Sequence, residues 1–144
     1  MSNPFESYRQ MLDAESSRLG LERKRCYDTL FDDLANNGMV QSDTHVEESL
    51  KIEIEHIRFF VDYALSQLKN LILSHGADIQ EAEMIFTKSI RAFTGAGLLR
   101  MLGLIANVRS SHKDRFAQEA LRQIEGEALQ RLTSLKASLS AGEI

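Results

Sequence analysis

The stretch VEESLKIEIEHIRFFVDYALSQLKNLILSH, Val46 to His75, decides the fold. Leu50, Ile54, Ile57, Val61, Ala64, Leu68 and Leu71 recur at alternating spacings of four and three, which draws one apolar stripe down a helix. Ile52, Phe59, Phe60 and Tyr63 fall outside that stripe and widen the apolar sector past half the circumference. Only Lys51, Glu55, Arg58, Asp62, Ser66 and Lys69 are left as a polar strip. A helix this apolar must be covered on two or three sides, so it is expected at the centre of a helical assembly.

The flanking sequence supplies the cover. Asn3 as N-cap, Pro4 at the first helical position and Glu6 reaching back open a helix expected over 3–36. Phe5, Tyr8, Leu12, Leu19, Cys26, Leu30 and Leu34 hold one face of it. Glu15 and Arg23 intrude on that face, and Gly20 costs about 1 kcal/mol relative to Ala in a helix interior. This helix is therefore expected to bend at Gly20, or to pack its first half loosely or against another chain. Asn36-Asn37-Gly38 ends it, and Thr44 with Glu47 reads as a capping box into the central helix, 44–75.

Gly76 closes the central helix and Asp78 with Glu81 opens the next almost at once, a connection short enough to force an antiparallel hairpin. The third helix, 78–109, carries Ile79, Ala82, Phe86, Ile90 and Phe93 on one face. Thr94-Gly95-Ala96-Gly97 follows, then a segment apolar almost all round, so the helix is expected to kink or break near Gly95–Gly97. Ser110 or Ser111 caps a fourth helix, 111–140, with Ala117, Leu121, Ile124, Ala128, Leu132, Leu135 and Leu139 inside. The fold class is all-α: an antiparallel four-helix bundle in one domain, 1–144.

Composition narrows the function classes. The net charge is −4 and no segment is strongly basic, so nucleic-acid binding is not expected. Arg18, Arg23, Lys24 and Arg25 form a collar around a helix and not a stripe, diluted by Glu22 and Asp28. One cysteine, Cys26, suits a reducing compartment, and the N-terminal residues lack a basic-then-apolar signal pattern. The longest nearly uncharged run, Ala92 to Val108, is short of a bilayer span and is interrupted by Arg100 and three glycines. A cytoplasmic protein with no membrane partner is the expectation.

Few residue constellations point to chemistry. Glu53 and His56 have the Glu-x-x-His spacing by which one helix gives two metal ligands in di-iron bundles. Such a site needs the motif twice, and here it occurs once, so flanking the core, with His56 partnered by a neighbouring helix, is the simpler reading. Glu15 and Glu22 share a face, and pairing with Arg18 or Arg23 accounts for them without acid–base work. Phosphate-binding loops, nucleophile elbows, zinc-binding pairs and cysteine pairs are absent, and no cofactor is implied.

Surplus apolar surface is the remaining signal. Leu98, Leu99, Leu104 and Val108 belong to a segment that one bundle cannot cover on every side, and Gly95, Gly97 and Gly103 permit close backbone approach. On a helical wheel Leu99 and Leu104 are the outward pair. These residues are the expected interface with another protein, most simply a second copy forming a homodimer. The expected function is a non-catalytic regulatory or adaptor domain. The alternative is a small-molecule sensor with a pocket between the central helix and Gly95–Gly103, lined by Phe59, Phe60, Tyr63 and Phe86. An enzyme with a site assembled from scattered residues stands third.

Overall fold

A computed structural model of the chain describes residues 3–76, 78–108 and 113–142. They form α1 (Pro4–Asn36), α2 (Asp43–His75), α3 (Ile79–Asn107) and α4 (Asp114–Ser140), with no strand among the described residues.

The helix ends follow from short-range chemistry. Asn3 Oδ1 accepts from the Phe5 N–H at 2.9 Å, while Glu6 turns to Arg9 at 3.6 Å instead of reaching back to its cap. At the other end of α1, Gly38 takes φ 68° and the Met39 N–H reaches the Leu34 carbonyl at 2.8 Å. That six-to-one bond is the Schellman closure, which needs a left-handed residue before it. Ser42, not Thr44, caps α2: its Oγ accepts from the His45 N–H at 3.3 Å, so the helix starts one residue before the expected position. Gly76, at φ 57°, and Asp78, whose Oδ1 accepts from the Gln80 N–H at 2.8 Å, make the tight α2–α3 connection. The expected caps of the last helix, Ser110 and Ser111, lie outside the described residues, and α4 is described from Asp114.

Helix α2 is the hub, touching all three others. Its stripe is buried as the spacing predicts, with Ile57, Val61, Ala64 and Leu68 at most 3% exposed and Ile54 half-buried. Contacts between helices set their relative sense. Tyr8 meets Ala64 and Tyr27 meets Ser49 across α1 and α2, while Glu53 meets Arg100 and Phe60 meets Phe93 across α2 and α3. In each pair the residue numbers rise on one helix as they fall on the other, the register of helices running in opposite senses. Arg91–Glu125 and Lys136–Glu83 repeat the pattern for α3 and α4.

Helices α1 and α4 lean on the α2–α3 pair far more than on each other. The α1 helix is unbroken through Gly20, and α3 is unbroken through Gly95–Gly97, so no helix break occurs at either place. Tyr8, Leu12, Leu19 and Leu34 bury the inner side of α1, whereas Cys26 and Leu30 are only half-buried. Between Leu12 and Tyr27 the inner positions include Ser16 and Arg23, which cannot pack dry against α3. The α1 helix therefore rests on α2 and leaves a groove between itself and α3.

Replacing Ile57 with Ala should remove about 2–5 kcal/mol of stability, since the side chain is sealed at the centre of the hub. Urea denaturation measures it, and a loss under about 0.5 kcal/mol would mean that α2 presents another face to the core.

Candidate functional site

Glu53 projects from α2 into the space where α1, α2 and α3 meet, and its side chain is 0% exposed. A carboxylate withdrawn from water is unstable unless its charge and lone pairs are matched. Arg100 of α3 supplies the charge with a two-pronged contact, Nε donating to Oε2 at 2.9 Å and Nη2 to Oε1 at 2.8 Å. Tyr27 of α1 donates its hydroxyl to Oε2, and that hydroxyl also lies 3.4 Å from the Ser49 carbonyl. Gly97, one turn before Arg100, makes the room: a Cβ there would stand 3.0 Å from Glu53 Oε1.

Electrostatics follow from this burial. The Tyr27 hydroxyl is pushed well above the usual phenol range, first by burial and then by the negative charge of Glu53. Burial draws the Arg100 guanidinium down, but the hydrogen bonds and charge of Glu53 outweigh it and hold the group above the ordinary arginine value. For Arg23 the balance goes the other way. Burial, then the neighbouring Arg100 charge, lower it by more than the charges of Glu53 and Tyr27 raise it, and its guanidinium lies 6.0 Å from the centre of the Phe93 ring. Among the described residues no carboxylate pairs with it.

The Arg23 and Arg100 side chains form one end of the α1–α3 groove, about 870 Å³ in volume. From Gln80 to Arg100 it follows α3 for about 30 Å at the helical rise. Leu12, Ile85, Phe60 and Phe93 give an apolar floor, with the two rings stacked at 4.4 Å and 7°. Ser16 and Ser89 add hydroxyls along the walls, and Asp13, Asp78 and Glu81 make the far end acidic. Such a surface suits binding: apolar area, a half-buried guanidinium with no carboxylate paired to it among the described residues, and hydroxyl donors.

The residues singled out in the sequence are scattered by the fold. Glu53 has both oxygens engaged by Arg100 and Tyr27, so it is not free to ligate a metal with His56. His56 is buried, but among the described residues no neighbouring helix partners it: Nδ1 bonds the Ile52 carbonyl of its own helix at 2.8 Å and Nε2 has no hydrogen-bond partner there. The described residues hold no group of three metal-ligating side chains. Arg18 takes up both Glu15 and Glu22, as expected for a solvated ion-pair cluster.

The four aromatic residues expected around one pocket do not come together. Phe60 lines the α1–α3 groove, Phe86 is sealed in the core, Tyr63 is half-buried, and Phe59 is 42% exposed with its edge to His56. The open space lies beside α1 because α1 is seated on α2 and presents its polar residues Ser16 and Arg23 toward α3. Of the expected interface, Leu99 is exposed and Gly95 and Gly103 face open space, whereas Leu98, Leu104 and Val108 pack partly on the core. Gly97 is committed to Glu53. Tyr27 and Arg100 escaped the sequence reading, although one arginine inside a long apolar run signals a buried counter-charge.

Arg100→Ala would leave Glu53 buried and unpaired, and should cost about 3–5 kcal/mol by denaturant titration, while replacing both partners together by Leu and Met should cost far less. Equal losses would show that the stranded carboxylate is not what makes the single change costly. Two glycines of α3 should respond oppositely. Gly103→Ala, into open space, should gain up to about 1 kcal/mol from helix propensity, and Gly97→Ala should be destabilising because Glu53 is held from two sides. Equal stabilities for the two variants would refute the close fit at Gly97.

Comparison with protein-family models, with curated proteins and with solved structures gives no match, so function here rests on the geometry of the groove, the ion pair and the exposed face of α3.

Proposed function

We propose that this chain is a non-catalytic adaptor domain that works by binding another protein, in the first instance a second copy of itself, through the outer face of α3. One observation carries the reading. Helix α3 is, by length and composition, apolar enough to cross a membrane, yet only 33% of its most apolar stretch is buried. Ala92, Gly95, Ala96, Leu99, Gly103 and Ala106 are all exposed and uncharged along that face, with Leu99 72% exposed at its centre. Covering apolar surface is worth roughly 25 cal/mol per Å², and a two-fold pairing would set the face against its own copy. The tie from Arg100 to Glu53 holds α3 in the bundle, which favours a protein over lipid as the cover.

A second reading rests on the α1–α3 groove: a bundle that senses a small molecule. Its volume, its stacked aromatic floor and the half-buried Arg23 favour it.

Leu99→Glu tests the first reading. The sequence-based wheel pairs Leu99 with Leu104, but Leu104 packs partly on the core, so the single change is the cleaner one. The unmodified chain should be dimeric by light scattering at tens of micromolar, roughly the range of modest association constants, and the variant a helical monomer. A chain already monomeric there would remove the support for self-association.

A further inference from the structure

We infer that the Arg23–Phe93 end of the α1–α3 groove is a seat for an amphipathic organic anion: a carboxylate, sulfonate or phosphate ester carried on an apolar body. This rests on the second reading above, that the groove takes a small molecule, and adds the chemistry of that molecule.

Two guanidinium groups, Arg23 and Arg100, meet at this end, and one carboxylate, Glu53, stands behind them. Glu53 is spent on Arg100 through both of its oxygens. The Arg23 charge is left over, half-buried, beside a like charge and over an aromatic ring. Burial and the like charge of Arg100 outweigh the attraction of Glu53 and Tyr27 for this cation, and an anion entering the groove offsets both costs at once. A guanidinium presents paired donors that fit a planar carboxylate or a tetrahedral oxyanion equally well, so the shared chemistry is the anionic head.

The rest of the groove fixes the other half of the ligand and its direction. The Phe60–Phe93 stack and Ile85 offer apolar area next to the cation, so the head must be joined to an apolar or aromatic body. The far end carries Asp78 and Glu81, which repel a second anion. The head therefore lies at Arg23 and the body runs along α3 toward Asp78. Arg9, near that far end, is paired with Glu6, and Lys88 stands exposed at the rim.

Fluorescence titration with two probes decides the matter. Anilinonaphthalene sulfonate is an aromatic anion, and N-phenylnaphthylamine is the same ring system without the sulfonate. The intact chain should bind the sulfonate about ten-fold or more tightly than the neutral probe. Arg23→Gln should abolish that preference and leave neutral-probe binding unchanged, which also shows the groove intact. Arg25→Ala, an exposed arginine on the same helix, should change neither. Equal binding of both probes to the intact chain overturns the anion seat and leaves the groove reading standing. So does an Arg25→Ala loss as large as that of Arg23→Gln, or loss of both probes with Arg23→Gln. Failure of both probes to bind the intact chain overturns the groove reading itself.

Discussion

The bundle depends on one buried charge. Glu53 is out of water on the central helix, and the three helices around it are arranged so that its charge and lone pairs are met. A buried ion pair adds little net stability over a dry core, because the cost of stripping water from both ions is nearly as large as their attraction. Its strength lies in discrimination. Any arrangement that separates Arg100 from Glu53 strands a carboxylate in an apolar interior, at a cost of several kcal/mol. The network therefore selects the positions of α1 and α3 on α2 more than it deepens their attachment.

The groove follows from how α1 is fastened. Tyr8 donates to the Ala64 carbonyl at 2.9 Å near one end, and Tyr27 reaches Glu53 and Ser49 nearer the other. Leu12 and Leu19 seal what lies between them against α2. On the side toward α3 the same stretch presents Ser16 and Arg23, whose polar groups would lose water on close packing. Two tyrosine anchors on α2 and a polar flank toward α3 leave the helix seated on one neighbour and held off the other. The space between is thus a product of sequence, and the charge lining it comes from the same residues that kept it open.

The four helices, the central place of α2 and most of its buried face were legible in the sequence, because 3.6-residue periodicity and capping residues act locally. The Ser42 cap was mistaken for Thr44 because both hydroxyl residues satisfy the pattern and only the backbone path chooses between them. The site was legible only in fragments. Arg23 appeared as an intruder on an apolar face and Glu53 as half of a metal motif, but Glu53 and Arg100 are 47 residues apart. Their meeting depends on the hairpin register about Gly76, which sets residues equally far from the turn opposite one another. Phe60 facing Phe93 obeys the same register. Tyr27 had no signal of its own, since a tyrosine beside Cys26 at the edge of a helix face reads as ordinary flank.

Helix α3 shows why apolar content alone could not say which side lies open. Its second half is apolar nearly all round, so hydrophobic burial by itself would accept several rotations of the helix with small differences in energy. Arg100 removes that freedom. With its guanidinium on Glu53, Met101 and Ile105 turn to the core, and Gly97 falls where only a missing side chain fits against the carboxylate. Turning α3 by one residue, about 100°, would bury the arginine without its partner or expose the core residues. The face carrying Gly95, Leu99 and Gly103 is outside because Arg100, about 100° round the helix from Leu99, holds a charge that can be satisfied in one place only.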